Sequence, residues 1–178
     1  MSALALVARR RGVAATGCDI DVTETGDLKA AGIEIFDGHD PSHVQNARAV
    51  VYTSAASMDH VEIVEAKKMG VPVVRRAEAL AQLVAKGTVV AIAGTHGKTT
   101  TTAMATAALA QAGKDPTGIV GGRIAQWNGN ARLGGDELFV VEADEYDKSF
   151  LALEPDIAVI NNVEPEHLEC YGSEEAMF

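Results

Sequence analysis

The sequence predicts an α/β protein of parallel sheets wound by helical crossovers. Three observations carry this expectation. Apolar runs of strand length alternate with helix-period segments along the whole chain, and glycines stand where those helices stop. The 178 residues, 47% hydrophobic and 22% charged, also have an ordinary globular composition. A chain this long buries roughly 70% of its extended surface, enough for one large domain or two small ones.

Taken in order, residues 2–11 read as a helix and 13–18 as a strand. Residues 27–31 read as the end of a short helix closed by Gly32, 33–36 as a short strand, and 48–53 (RAVVYT) as a buried strand. An amphipathic helix over 60–69 is stopped by Gly70, followed by a strand at 71–74 and a helix at 77–86. Residues 89–93 (VVAIA) form a wholly apolar strand, and 99–112 a long Ala/Thr-rich helix ended by Gly113. Further strands fall at 138–141 and 157–160. A helix ending at Lys86-Gly87 before a fresh strand places a boundary there, giving units 1–86 and 87–178. Both ends read as cut. The chain opens directly in a helix, and it stops as another begins. A doubly wound unit normally opens with a central strand and a glycine turn, so two strands are expected to stand without their shared partner.

Fifteen basic against 25 acidic residues give a net charge of −10. That argues against non-specific binding to nucleic acid or to an anionic membrane, both of which need a basic surface. An anionic small molecule needs only a local patch of donors. No apolar run approaches the ~18 residues of a membrane span, and nothing resembles a secretory signal. The two cysteines, Cys18 and Cys170, are too few for a disulfide framework or a Cys-based zinc site. Aromatics at 4% leave few platforms for base stacking. A soluble cytoplasmic protein is expected.

The strongest local signal is VVAIAGTHGKTTTT, residues 89–102. A buried strand enters a turn containing Gly94 and Gly97, and Lys98-Thr99 opens a helix. Glycines let successive N–H groups converge on one centre, and the helix start adds its positive dipole end. Lys98 is placed to reach terminal phosphates and Thr99 to ligate Mg²⁺. The strict phosphate-loop pattern has another glycine at 92, where this chain has Ile92. Four successive threonines are poor helix material, which favours a chemical reason for the first of them.

An acidic partner follows in LFVVEADEYD, where an apolar strand ends at Glu142 and Asp144, Glu145 and Asp147 come after it. A carboxylate at a strand's C-terminal end beside a phosphate loop suits a hard cation such as Mg²⁺. The other acids also read as a solvated loop. In INNVEPEHLECYG a third strand delivers Asn161 and Asn162, then Glu164, Glu166 and His167. A lone histidine is commonly a surface residue, but this one follows a strand end, as the other two sites do.

On these residues the chain resembles the Mur ligases, the ATP-dependent amide-forming enzymes of peptidoglycan synthesis. AGTHGKTTTTAM, Gly121-Gly122, NARLG, VEADEYDKSFL and NVEPEHLECYG are similar to that family's central ATPase domain. Upstream, MSALA, TGCD, GHD around His39, TSAAS around Ser54 and RAEALAQL also fit, so the likeness covers nearly all of the chain. It implies a Rossmann-like UDP-binding domain lacking its first strand, followed by part of a P-loop parallel-sheet ATPase domain. It further implies ATP and Mg²⁺, held by Gly94, Thr95, Gly97, Lys98, Thr99 and Thr100, with Thr99, Glu142 and His167 at the metal ions. His96 would help position the reacting carboxylate beside Lys98. Asp19, His39 and Ser54 would lie near the UDP moiety; each also reads plainly, as a turn residue, a loop residue and a helix N-cap respectively. The motifs are most similar to members that add the first amino acid, which implies UDP-N-acetylmuramate and L-alanine as substrates. Addition of a recycled tripeptide to the same sugar nucleotide is the alternative, and a nucleotide-binding piece without catalysis is another.

Overall fold

The structure, a computed structural model, describes residues 1–166 and 168–173. It divides into two compact units, Met1–Leu80 and Ala81 onward. Among the described residues no helix is long and apolar enough to cross a membrane.

The first unit contains α1 (Ser2–Arg10), β1 (Thr16–Asp19), α2 (Gly26–Ala30), β2 (Glu34–Asp37), β3 (Val50–Tyr52), α3 (Val61–Met69) and β4 (Val73–Arg75). The helix α4 (Arg76–Val84) runs across the division. β1 pairs in parallel with β2, and β3 with β4, as two separate two-stranded sheets. This agrees with the expectation that two strands lack a common neighbour. The core is supplied by Leu4 and Val7 of α1, Leu28, Ile33, Val44, Ile63 and Ala66, all buried. Ile63 and Ala66 are three apart on α3, which presents one face to that core. Gly70, at φ +72°, closes the helix in the left-handed conformation, and Val71 N–H donates back to Ala66 O.

Two expectations are corrected here. The strand expected from residue 13 begins only at Thr16, and Val13 is exposed in the preceding loop. β3 is also not a buried strand: Val51 is 37% exposed, because β4 is its sole partner in that sheet.

The second unit is one sheet of order β7-β6-β8-β5-β9, formed by β5 (Thr88–Ala93), β6 (Thr117–Ile124), β7 (Gly129–Arg132), β8 (Leu138–Glu142) and β9 (Ile157–Ile160). Its helices are α5 (Lys98–Gln111) and the short α6 (Leu168–Tyr171). Phe139, Val140 and Val141 of β8 are fully buried, as a central parallel strand covered on both faces requires. Thr102 and Thr106 of α5, one turn apart, are equally buried, and α5 packs over β6. A Cβ at Gly118 would fall 2.7 Å from Thr106 Oγ1, so glycine there allows this close approach. β7 runs antiparallel to β6, which all-parallel winding does not anticipate. The missed cue is Asn128-Gly129, a hairpin signal, with Asn128 at φ +50°.

Gly87 has a different role from the helix stop read in the sequence. Its φ is not in the left-handed region, and a Cβ there would lie 2.6 Å from the Phe139 ring and 2.8 Å from Asp136 O. Gly87→Ala is therefore expected to destabilise by about 1–3 kcal/mol through overpacking. Denaturant midpoints check this, with the exposed Lys86→Ala as a near-neutral control.

Candidate functional site

Sheet register assembles the site in the second unit. β5 lies between β8 and β9, with Ile92 opposite Glu142 and Ala93 opposite Ile160. The C-terminal ends of three parallel strands therefore sit side by side, about 5 Å apart. This register also explains Ile92. It belongs to β5 rather than to the loop and is 1% exposed in the core. The turn begins only at Gly94.

Gly94 adopts φ +129°, and a Cβ on it would meet Asn162 O at 3.0 Å and Asn161 Cβ at 3.1 Å. Gly97, at φ +80°, occupies the N-cap of α5. Both positions demand glycine. The chain leaving β9 braces the loop. Asn162 Oδ1 accepts from His96 N–H (2.9 Å), and Asn162 O accepts from Thr95 N–H (3.2 Å). The buried Thr95 Oγ1 accepts from Glu164 N–H at 2.8 Å. Asn161 donates to His96 O and to Thr101 Oγ1.

Lys98 Nζ donates to Gly94 O (2.8 Å), Thr95 O (3.2 Å) and Glu145 Oε1 (2.8 Å). It also lies 2.8 Å from Glu145 Oε2, so the ammonium sits astride the carboxylate as an ion pair with both side chains only 12% exposed. Tyr171 O–H donates to the Glu145 carbonyl. Thr99 Oγ1 donates to Glu142 Oε2 at 2.9 Å, and Gly121 N–H donates to the same oxygen at 2.7 Å. The four threonines separate by helical phase: Thr99 faces Glu142, Thr100 is exposed, Thr101 meets Asn161, and Thr102 enters the core. His96 is exposed, with Nε2 3.8 Å from Glu164 and 3.7 Å from Glu166.

The residues fit the group the sequence implies. Two cis ligands of an octahedral Mg²⁺ at 2.0–2.1 Å lie about 2.9 Å apart, and that is the Thr99–Glu142 separation. The first amides of α5 have no acceptors within the helix and point toward the loop, an anion-binding arrangement. The sequence-expected Gly94, Thr95, His96, Gly97, Lys98, Thr99, Thr100 and Glu142 are thus brought to one sheet edge. His167 and the Asp147 side chain lie outside the described residues.

In the first unit, Asp19 is exposed at the end of β1 and accepts from Asp21 N–H, a turn role. Ser54 is exposed in the turn after β3; it caps no helix, because α3 begins at Val61 with His60 at the cap position. His39 turns inward. Its Nδ1 lies 3.4 Å from Cys18 Sγ and 3.8 Å from Glu62 Oε2. Cys18 donates to Glu62 Oε2 at 3.0 Å. His43 Nδ1 lies 2.7 Å from Glu62 Oε1, and a carboxylate only accepts, so that nitrogen carries the proton. Burial opposes charge on Glu62, but the hydrogen bonds from Cys18, His43 and the Asp40 amide, with His39 nearby, outweigh it and hold its pKa below the ordinary value. Burial, followed by the hydrogen bond to Glu62 and that carboxylate's charge, pushes the Cys18 thiol up to about 12. At neutral pH its thiolate fraction is about a thousandfold below normal. Higher thiolate nucleophilicity recovers part of this, so alkylation in the presence of chelator is expected to run roughly 30-fold slower than for a simple thiol. Mass-spectrometric timing of the Cys18 adduct checks it.

Residues 1–88 match the Mur ligase family, catalytic domain, and residues 92–178 match the Mur ligase middle domain. The chain belongs to the Mur ligase family.

Among its Mur ligase relatives, the UDP-N-acetylmuramate–L-alanine ligase of Acidiphilium cryptum is 48% identical over 99% of this chain and 37% of its own length. That of Anaeromyxobacter is 45% identical over 99% of the chain and 39% of its own. The chain therefore spans under two fifths of the length of these relatives. The solved UDP-N-acetylmuramate-alanine ligase from Thermotoga maritima superimposes with a TM-score of 0.91 at 34% identity, covering 99% of this chain and 42% of that one. A UDP-N-acetylmuramate:L-alanyl-gamma-D-glutamyl-meso-diaminopimelate ligase from Neisseria meningitides gives 0.85 at 29%, covering 99% and 61%. Within this Mur ligase chain, sequence reasoning missed the Lys98–Glu145 pair and the amide of Gly121 on Glu142. Glu145 carried a signal, its place in DEYD. The Gly121 contact had none beyond the Gly-Gly pair.

Proposed function

We propose that this chain forms the sugar-nucleotide- and ATP-binding part of a cytoplasmic ligase that joins L-alanine to UDP-N-acetylmuramate. Residues 1–86 take the UDP sugar, with Asp19, His39 and Ser54 near the UDP moiety, and residues 87–178 take ATP. The observation that carries this reading is the Thr99 hydroxyl paired with Glu142 one helical residue from Lys98, on a loop that only glycines can form. ATP with Mg²⁺ would supply a transferable phosphoryl group and positive charge: the sugar's carboxylate takes the γ-phosphoryl group as ADP leaves, and the amine of alanine then attacks the acyl carbonyl as inorganic phosphate leaves. The protein's own task is electrostatic, since two anions must meet. Lys98 and the first amides of α5 would gather the phosphates, Thr99 and Glu142 would hold Mg²⁺, and His167 would serve a second metal ion. His96 stands exposed at the loop's crest, where it can orient the carboxylate. Asn161 and Asn162 keep the loop in shape before any ligand arrives.

The test has two parts. A fluorescent ADP analogue should bind the 178-residue chain in a Mg²⁺-dependent manner. A chimera in which these residues replace the matched stretch of the Acidiphilium relative should form ADP only when UDP-N-acetylmuramate and L-alanine are both present. Turnover with tripeptide in place of alanine would move the reading to the recycling reaction. ADP formation without the sugar nucleotide would overturn both.

A further inference from the structure

Outside the ATP site, the described residues hold one cluster of metal-ligating side chains: Cys18, His39 and Glu62, whose ligand atoms all lie within 4.8 Å of one another. We infer that these three residues form a transition-metal site of the first unit, suited to Zn²⁺ and open at a fourth position toward His60.

Geometry is the first support. Tetrahedral zinc with bonds of about 2.0–2.3 Å places its ligands about 3.3–3.6 Å apart. Here Sγ–Oε2 is 3.0 Å, Nδ1–Sγ is 3.4 Å and Nδ1–Oε2 is 3.8 Å. A cation entering between them needs shifts of only a few tenths of an ångström. His60 Nδ1 is 4.0 Å from Glu62 Oε2, and its ring meets His39 edge-on at 4.5 Å, so it borders the remaining position.

The donor set is the second. Thiolate, imidazole and carboxylate together favour zinc over the hard Mg²⁺ bound by oxygens alone. The surroundings are the third. His43 donates to the other oxygen of Glu62 at 2.7 Å and stacks on Phe36 at 4.2 Å with an interplanar angle of 9°, fixing the carboxylate from behind. Such outer partners typically orient metal ligands. Glu62 is buried, while the His39 side chain is 32% exposed, which leaves an entry path. The ligands come from the end of β1, the loop after β2 and the first turn of α3, so the ion would tie together three segments distant in sequence. Binding releases the thiol proton, and affinity rises with pH. The inference uses no residue of the ATP site; it shares His39 with the proposed UDP site, and metal binding is read separately from nucleotide binding.

Chelator-treated protein titrated with Co²⁺ gives the test. The expected result is one equivalent bound, with thiolate-to-cobalt charge transfer in the near ultraviolet and the intense visible bands of tetrahedral cobalt, all displaced by Zn²⁺. Cys18→Ser, which keeps the hydrogen bond to Glu62, should abolish the charge-transfer band, and Cys170→Ser should leave it intact. His43→Ala should weaken Zn²⁺ binding about 10–100-fold. Melting in chelator shows that each variant is folded. Absence of stoichiometric binding overturns the inference, as does a band that survives Cys18→Ser or disappears with Cys170→Ser.

Discussion

Lys98→Ala is expected to lower ADP formation by the chimera about 10²–10³-fold, the effect of losing one preorganised donor on a developing anion. The ammonium is held by Gly94 O, Thr95 O and Glu145, so it is already positioned above the loop. Alanine removes the charge and also strands Glu145, whose side chain is 12% exposed. Leaving such an acid unpaired costs on the order of 3 kcal/mol of stability. A double variant separates the two effects. Lys98→Ala with Glu145→Gln should regain most of the stability, measured by denaturant unfolding, and none of the turnover. Glu145→Gln alone should cost less than tenfold in turnover. Equal losses in the two single variants would mean that Lys98 acts only through its ion pair.

Glu142→Gln is expected to reduce turnover by at least 10²-fold and to raise the Mg²⁺ needed for half-maximal nucleotide binding more than tenfold. One carboxylate oxygen accepts from both Thr99 and Gly121. The amide is isosteric and its oxygen still accepts from both, so folding should change by no more than about 1 kcal/mol. What is lost is the negative charge that a hard cation requires. Titrating Mg²⁺ against binding of the fluorescent ADP analogue reads this directly. An unchanged Mg²⁺ dependence would remove Glu142 from the metal site.

The parts of this site legible in the sequence are those that local chemistry dictates. Gly94 and Gly97 announce positive φ, Lys98-Thr99 opens a helix, and an apolar run stops at Glu142. The strand Ile157–Ile160 has its expected limits, because a short apolar run rich in β-branched residues favours extended backbone. Less legible were features that depend on a neighbour. The expected burial of residues 48–53 failed because hydrophobicity does not reveal how many strands flank a strand. The reversal at Asn128-Gly129 runs against the parallel winding that the alternating strands and helices imply elsewhere.

Side-chain partnerships were the least legible. Glu145 looked like one acid among several until the fold placed it on Lys98, 47 positions away in the chain. Nothing local links Cys18 to His39, which the resemblance places near the UDP moiety; the fold sets the two in contact and α3 brings Glu62 against both. By itself, then, the sequence determined the α/β class, the phosphate loop and the order in which strand ends deliver their polar residues, because each follows from backbone geometry within a few residues. Only the tertiary structure decided which carboxylate meets which cation or thiol. Sheet register and helix packing set distances of a few ångströms between residues far apart in the chain, and no local propensity encodes them.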